Sequence, residues 1–125
     1  MPRNWASFRP HSLPIISLRI GGTIVRALLD TGASQSLIDP HLVKQLDLEE
    51  EGTGWIVGIR TEPFQVSLVT IRGATIGRCR LKPYKAGIID VTNLRIGIQL
   101  VLGVNAFRGY RLQFDFAQGK LYLLS

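Results

Sequence analysis

The sequence predicts an all-β domain, arranged as a barrel or a sandwich. Short runs of apolar and β-branched residues alternate with turn residues along most of the chain, and no segment of useful length repeats its apolar residues with a helical period. With 125 residues, 46% of them hydrophobic and 19% charged, the chain is long and apolar enough to bury one core. These observations argue against a largely disordered protein and indicate a single domain.

The beginning of the chain predicts an irregular arm followed by a β-hairpin. Residues 1–14 contain three of the six prolines, so we expect an arm without regular structure ahead of a domain that spans residues 15–125. Residues 15–20 then alternate apolar and polar side chains, and residues 23–29 are mostly β-branched and apolar. Because Gly21-Gly22 separates the two runs, they predict a hairpin.

The middle of the chain predicts short elements around one helix. Asp39 followed by a proline is typical of the N-cap and first position of a helix, which we expect to end near Leu46. Residues 49–54 hold three glutamates and two glycines and predict an exposed acidic loop. Residues 55–57 and 64–71 predict two strands with a hairpin tip between them.

The last part of the chain predicts one short helix between strands. An apolar run over residues 100–102 ends at Gly103, and residues 104–107 suit one or two helical turns. Residues 110–116 alternate apolar and polar side chains, and residues 121–124 close the chain as a further strand.

The chain is basic, with 15 Lys and Arg against 9 Asp and Glu and a formal net charge of +6. This charge permits nucleic-acid binding, but the basic residues are scattered and only residues 78–82 are densely basic. A basic nucleic-acid-binding barrel is therefore the least favoured alternative, and we expect no nucleic-acid partner.

Cysteine and histidine usage narrows the possible chemistry. The single Cys79 excludes an internal disulfide, and together with two histidines it cannot form a zinc site unless carboxylates or a partner chain contribute. We therefore expect neither a metal nor a cofactor. No apolar run reaches the roughly 20 residues of a membrane-spanning helix, and the first five residues lack the apolar core of a signal peptide. A cytoplasmic protein is favoured, with a soluble domain of a longer membrane-anchored chain as the alternative.

Asp30 is the residue with the clearest chemical potential. It ends an apolar strand, where a carboxylate is costly unless other groups stabilise it. Gly32 lets the backbone turn sharply and bring its N–H towards that carboxylate, and Ser34 adds a hydroxyl donor. The simpler interpretation is that Asp30 caps a turn, as aspartate in Asp-x-Gly often does.

Three segments of the chain, taken together, favour a catalytic role. They are LLDTGAS at residues 28–34, the glycine-bearing hairpin around Gly58, and LVLGVNAF at residues 100–107. In order and spacing along residues 15–124 they resemble the retropepsins, the retroviral-type aspartic proteases, and their cellular and bacterial relatives.

The resemblance implies an aspartic endopeptidase with the acid protease fold. Such a chain is an all-β, closed β-barrel with one short C-terminal helix, and it contributes one lobe to a homodimer. Each chain supplies one catalytic aspartate, here Asp30, and the pair activates a water that hydrolyses a peptide bond of a peptide or protein substrate. The sequence has a single Asp-Thr-Gly, so a two-carboxylate site requires a second copy of the chain.

The resemblance also implies roles for the residues after Asp30. Thr31 would hydrogen-bond across the dimer axis to the partner's loop, although an ordinary turn residue is the simpler alternative. Gly32 and Ala33 would present their backbone to the substrate, and Ser34 would complete the support of this loop.

Two further segments receive roles in the same way. One is the tip of a flap that closes over the substrate, for which a plain surface hairpin is the alternative; it comprises Val57, Gly58, Ile59 and Arg60. The other is a second loop that packs tightly beside Asp30; it comprises Val101, Leu102 and Gly103.

The chain departs from the retroviral pattern at two positions. Retroviral enzymes often carry Asp at the position of Ser34 and Arg at the position of Val104, and both members of that ion pair are absent here. The departure favours the cellular or bacterial branch and leaves open how the dimer is held together. A non-catalytic peptide-binding or assembly module of the same fold remains the second hypothesis for the function.

Overall fold

A computed structural model describes residues 4–91 and 96–125, which form twelve β-strands, one α-helix and one 3₁₀-helix. The first six strands are β1 Trp5–Ser7, β2 Ile15–Ile20, β3 Thr23–Leu29, β4 Ser36–Ile38, β5 Glu50–Ile56 and β6 Phe64–Ile71. The other six are β7 Ala74–Ile76, β8 Cys79–Arg80, β9 Tyr84–Ile88, β10 Leu100–Leu102, β11 Arg111–Asp115 and β12 Lys120–Leu124. The helices are α1 Pro40–Gln45 and the 3₁₀-helix Val104–Phe107.

Nine strands form the main sheet, in the order β5-β6-β9-β4-β10-β3-β2-β7-β8. The predicted hairpin is confirmed: β2 and β3 pair antiparallel, and Gly21 turns the chain with a φ of 60° that favours glycine. Strand β10 lies between β3 and β4, parallel to the first and antiparallel to the second. Because β3 and β10 are parallel, the residues that follow them leave the sheet at the same edge, and these are Asp30 and Gly103.

The main sheet is not closed by strand pairing in the part of the chain that the structure describes. Its outermost strands are β5 and β8, which do not pair with each other. The all-β class with short helices is confirmed, whereas closure into a barrel is not.

The remaining strands form a small sheet in the order β1-β12-β11. Residues 5–7, predicted within an irregular arm, instead pair with β12 in the register Trp5↔Tyr122. This strand was missed because three residues carry too little alternation to be recognised without their partner. The C-terminal strand is confirmed, and it pairs on both sides within its own chain.

The acidic segment of residues 49–54 belongs to a strand from residue 50 onwards and is not a loop. Strand β5 begins at Glu50, and its pairing with β6 shifts register between Glu50 and Thr53. The bulge accommodates Gly52, whose φ of 99° favours glycine. The glycines that predicted a loop therefore mark an irregularity inside a strand.

Helix α1 begins as predicted. The side chain of Asp39 accepts a hydrogen bond of 2.8 Å from the backbone N–H of His41, and Pro40 occupies the first turn. The main core is formed by side chains of both sheets and reaches α1 through Leu42, which is 1% exposed. A second, smaller cluster of Val91, Ile98 and Val101 packs against Leu28 and Leu37. None of the described helices is long and apolar enough to cross a membrane.

Candidate active site

Asp30 directly follows β3, which is an inner strand of the main sheet. Asp30 is exposed at the end of this strand, whereas the preceding Leu29 is buried. Its backbone N–H donates to the carbonyl of Leu102, 2.9 Å away, which ties it to β10. The N–H of Gly32 donates to Asp30 Oδ1 at 3.0 Å. Asp30 forms no ion pair with a described residue, and its second carboxylate oxygen has no protein partner among them. The hydrogen bond from Gly32 therefore orients the carboxylate of Asp30, and no described basic side chain pairs with it.

The loop of residues 30–35 is held against the end of β10. The N–H of Ala33 donates to the carbonyl of Asp30 at 3.1 Å, and the carbonyl of Ala33 accepts from the N–H of Val104 at 2.9 Å. At Gly103 a Cβ would lie 2.8 Å from the backbone carbonyl oxygens of Ala33 and Gln35. The two loops approach so closely that only glycine fits between them without displacing backbone.

A buried polar network fixes this crossing. The hydroxyl of Ser36, which is 0% exposed, accepts from the N–H of Gly103 at 3.0 Å and donates to Asn105 Oδ1 at 2.8 Å. Asn105 Nδ2 in turn donates to the carbonyl of Lys85 at 2.7 Å. Neither Ser36 nor Asn105 was predicted to have a role. The available signal was a serine within the short apolar strand Ser36–Ile38, since a buried hydroxyl needs a partner.

The hairpin of β5 and β6 extends over Asp30 and encloses a cleft. Three large apolar side chains near its tip are exposed to solvent: Trp55 by 60%, Val57 by 75% and Ile59 by 55%. The guanidinium of Arg60 lies 4.0 Å from the ring centre of Phe64, so this residue packs back onto its own hairpin. Exposed apolar residues of this size are typical of a surface that binds something else.

The cleft has a volume of about 350 Å³, and among the described residues Asp30 is the only charged one that lines it. Its other lining residues are Gly32, Ala33, Ser34, Gln35, Leu37, Trp55, Ile56, Val57, Gly58, Ile59 and Val101. A cleft with both polar and apolar lining groups and one carboxylate is suited to an extended, largely uncharged segment rather than to an ion.

Most of the residues predicted for the site therefore lie around one cleft. Of the predicted residues, Thr31, Arg60, Leu102 and Gly103 do not line it: Thr31 is exposed on the Asp30 loop, and Leu102 is buried in the core. Gln35 and Trp55 line it but were not predicted.

Gln35 adds a polar group to the wall of the cleft. Its Nε2 atom is buried and has no hydrogen-bond partner among the described residues. A buried amide donor without a partner is uncommon and costs free energy. Within the described ranges, no three His, Cys, Asp or Glu side chains are grouped so that they could hold a metal ion.

Comparison with known proteins agrees with this geometry. A family model described as aspartyl protease matches residues 16–106. Curated protein sequences gave no significant match.

Two solved structures superimpose over nearly the whole chain and share its fold. A retropepsin-like aspartic protease from Rickettsia conorii is 16% identical, with a TM-score of 0.66 over 97% of this chain and 91% of its own. A retroviral protease-like domain of Ddi1 from Leishmania major is 11% identical, with a TM-score of 0.55 over 91% of this chain and 94% of its own. The chain therefore belongs to the aspartyl protease family and has a retropepsin-like fold.

Proposed function

We propose that this protein is an aspartic endopeptidase whose active site is formed by two Asp30 carboxylates, one from each subunit of a homodimer. The observation that carries the proposal is the position of Asp30. Among the described residues it is the only charged one in a cleft covered by a hairpin with exposed apolar side chains, and one of its carboxylate oxygens has no protein partner there. A carboxylate that merely capped a turn would not need a cleft beside it.

The proposed mechanism needs two carboxylates that share one proton. Two such groups about 3 Å apart cannot both be ionised, and aspartic proteases are the general example of this sharing. The ionised Asp30 takes a proton from a water molecule, whose oxygen attacks the carbonyl carbon of the peptide bond. The protonated Asp30 of the other subunit donates a hydrogen bond to the carbonyl oxygen as negative charge develops there. When the C–N bond then breaks, the proton taken from water passes to the leaving nitrogen, which departs as an amine while the carbonyl carbon becomes a carboxylic acid. This reaction requires neither a metal nor a cofactor.

The rest of the cleft binds the peptide in this proposal. The exposed side chains of Trp55, Val57 and Ile59 cover the substrate and exclude water from the carboxylates. Thr31, exposed beside the cleft, is left to contact the partner's loop.

Mixing wild-type protein with the Asp30→Asn variant tests the shared site. If both carboxylates are needed, random exchange of subunits in an equal mixture leaves about half of the wild-type chains in fully wild-type dimers. We therefore expect peptidase activity to fall to about half of that given by the same concentration of wild-type protein alone, and to about a tenth with a ninefold excess of variant.

The matched control is Asp47→Asn, the same chemical change at an exposed position with a φ of 53°, which asparagine tolerates. This variant keeps Asp30, so its addition should raise the activity. An activity that stays constant as Asp30→Asn is added would show that each chain works alone.

A further inference from the structure

Three neighbouring strand ends place two apolar side chains on either side of Asp30. Strand β3 is antiparallel to β2 and parallel to β10, so the start of β2 and the ends of β3 and β10 lie at one edge of the sheet. Leu13 precedes β2, Asp30 follows β3 and Val104 follows β10. These three residues form a row, in the order Leu13, Asp30, Val104. Backbone hydrogen bonds hold it in place: the N–H of Leu29 donates to the carbonyl of Pro14 at 3.1 Å, and the N–H of Val104 donates to the carbonyl of Ala33 at 2.9 Å.

Both flanking side chains are exposed in the single chain. Leu13 is 53% exposed and Val104 is 49% exposed. The strands next to these residues, β2 and β10, are the two neighbours of β3, so these two strands are two spacings of about 4.8 Å apart. Neither lines the cleft, so a substrate bound there does not cover them. A surface that packs on this edge would remove both apolar side chains from water, which favours association.

A second copy of the chain is the occupant that fits this edge. The inference rests on the proposed function, in which the two Asp30 carboxylates approach to about 3 Å. Such an approach brings the edges of the two sheets together and covers the residues on both sides of Asp30. Ser34 and Val104 cannot form an ion pair. The contact that the exposed side chains of Leu13 and Val104 can make with a second copy is therefore apolar.

We infer that Leu13 of each protomer packs against the partner's Val104. A two-fold axis that passes between the two Asp30 side chains, perpendicular to the row, reverses the order of the row in the second protomer. Leu13 on one side of the axis then faces the partner's Val104, and the contact occurs twice in each dimer because the interface is isologous. Hydrophobic contacts beside the active site thus replace a charge pair in holding the two halves of the site together.

Charged substitutions test this pairing, with the dissociation constant of the dimer measured by sedimentation equilibrium in the absence of substrate. Leu13→Glu and Val104→Glu each place two charges per dimer on an apolar surface, and we expect each to weaken the dimer by about 100-fold or more. Ile24→Glu is the matched control. Ile24 is 58% exposed but lies near the opposite end of β3, so its substitution should leave the dissociation constant within about twofold.

A charge-swap variant tests which residues face each other. In Leu13→Glu/Val104→Arg, each glutamate faces an arginine of the partner, so the dimer should regain at least about tenfold in affinity relative to Leu13→Glu alone. If each residue instead faced its own symmetric copy, this variant would oppose like charges and would be no stronger than Leu13→Glu. Thermal unfolding of each variant checks that the fold is retained.

The outcomes separate this inference from the proposed function. If the wild-type protein is a dimer and Leu13→Glu and Val104→Glu dimerise with the same dissociation constant, the inference is overturned and the peptidase proposal stands. A dimer that weakens and is rescued as described, but never cleaves peptide, would support the inference and contradict the peptidase proposal. Wild-type protein that stays monomeric at every concentration would overturn both.

Discussion

Replacing Asp30 by Asn is expected to abolish peptide hydrolysis while leaving the protein folded. The carbonyl oxygen of asparagine can accept the same 3.0 Å hydrogen bond from Gly32 that Asp30 Oδ1 accepts. Asparagine can neither take a proton from water nor share one with its partner, and the substitution removes this capacity from both subunits. We expect kcat/KM to fall by about 10⁴-fold in a peptide-cleavage assay.

Two measurements make the loss interpretable. The free energy of unfolding of Asp30→Asn should stay within about 0.5 kcal/mol of the wild-type value, since an exposed side chain is replaced by one of equal size. Asp47→Asn should retain wild-type kcat/KM. Cleavage at the wild-type rate by purified Asp30→Asn would contradict the catalytic role of Asp30, and peptide binding without cleavage by the wild-type protein would favour the non-catalytic module.

Replacing Gly103 by Ala is expected to damage both stability and activity. The new Cβ would lie 2.8 Å from the backbone of Ala33 and Gln35, and these atoms cannot move aside as a side chain does. We expect the free energy of unfolding to fall by about 2–3 kcal/mol. The displaced backbone belongs to the loop that carries Asp30, so kcat/KM should also fall, by about 10²-fold, under conditions where the variant is fully folded.

Gly22→Ala is the matched control for this substitution. A Cβ on Gly22 would have no atom within 4 Å, and its φ lies outside the region that favours glycine. We expect a change in the free energy of unfolding of less than about 1 kcal/mol. Urea denaturation of both variants provides the comparison. A Gly103→Ala variant as stable and active as Gly22→Ala would mean that the two loops are not rigidly packed.

The sequence predicted those parts of the fold and site that depend on local chemistry. The glycine pair between β2 and β3 and the Asp39 cap are short-range signals, and both are confirmed. The motif around Asp30 indicated a carboxylate held by a backbone N–H, and Gly32 provides that hydrogen bond. Such features need no knowledge of the distant partners of a residue.

The features that were missed depend on contacts between distant parts of the chain. Strand β1 is stabilised by β12, more than a hundred residues away, and three residues show no pattern by themselves. The role of Ser36 depends on Gly103 and Asn105, which come near only when β10 inserts between β3 and β4. No pattern in the sequence marks Gln35. What distinguishes it is a buried amide nitrogen without a hydrogen-bond partner among the described residues, which only the folded structure reveals.

The stoichiometry of a tight-binding inhibitor tests the central claim most directly. A peptide analogue with a tetrahedral hydroxyl in place of the scissile carbonyl imitates the transition state, and its oxygen would lie between the two Asp30 carboxylates. Titration of the protein with this inhibitor, followed by calorimetry or residual activity, counts the sites. The shared-site account predicts one inhibitor molecule for every two chains, with no binding to Asp30→Asn. One inhibitor molecule per chain would contradict it.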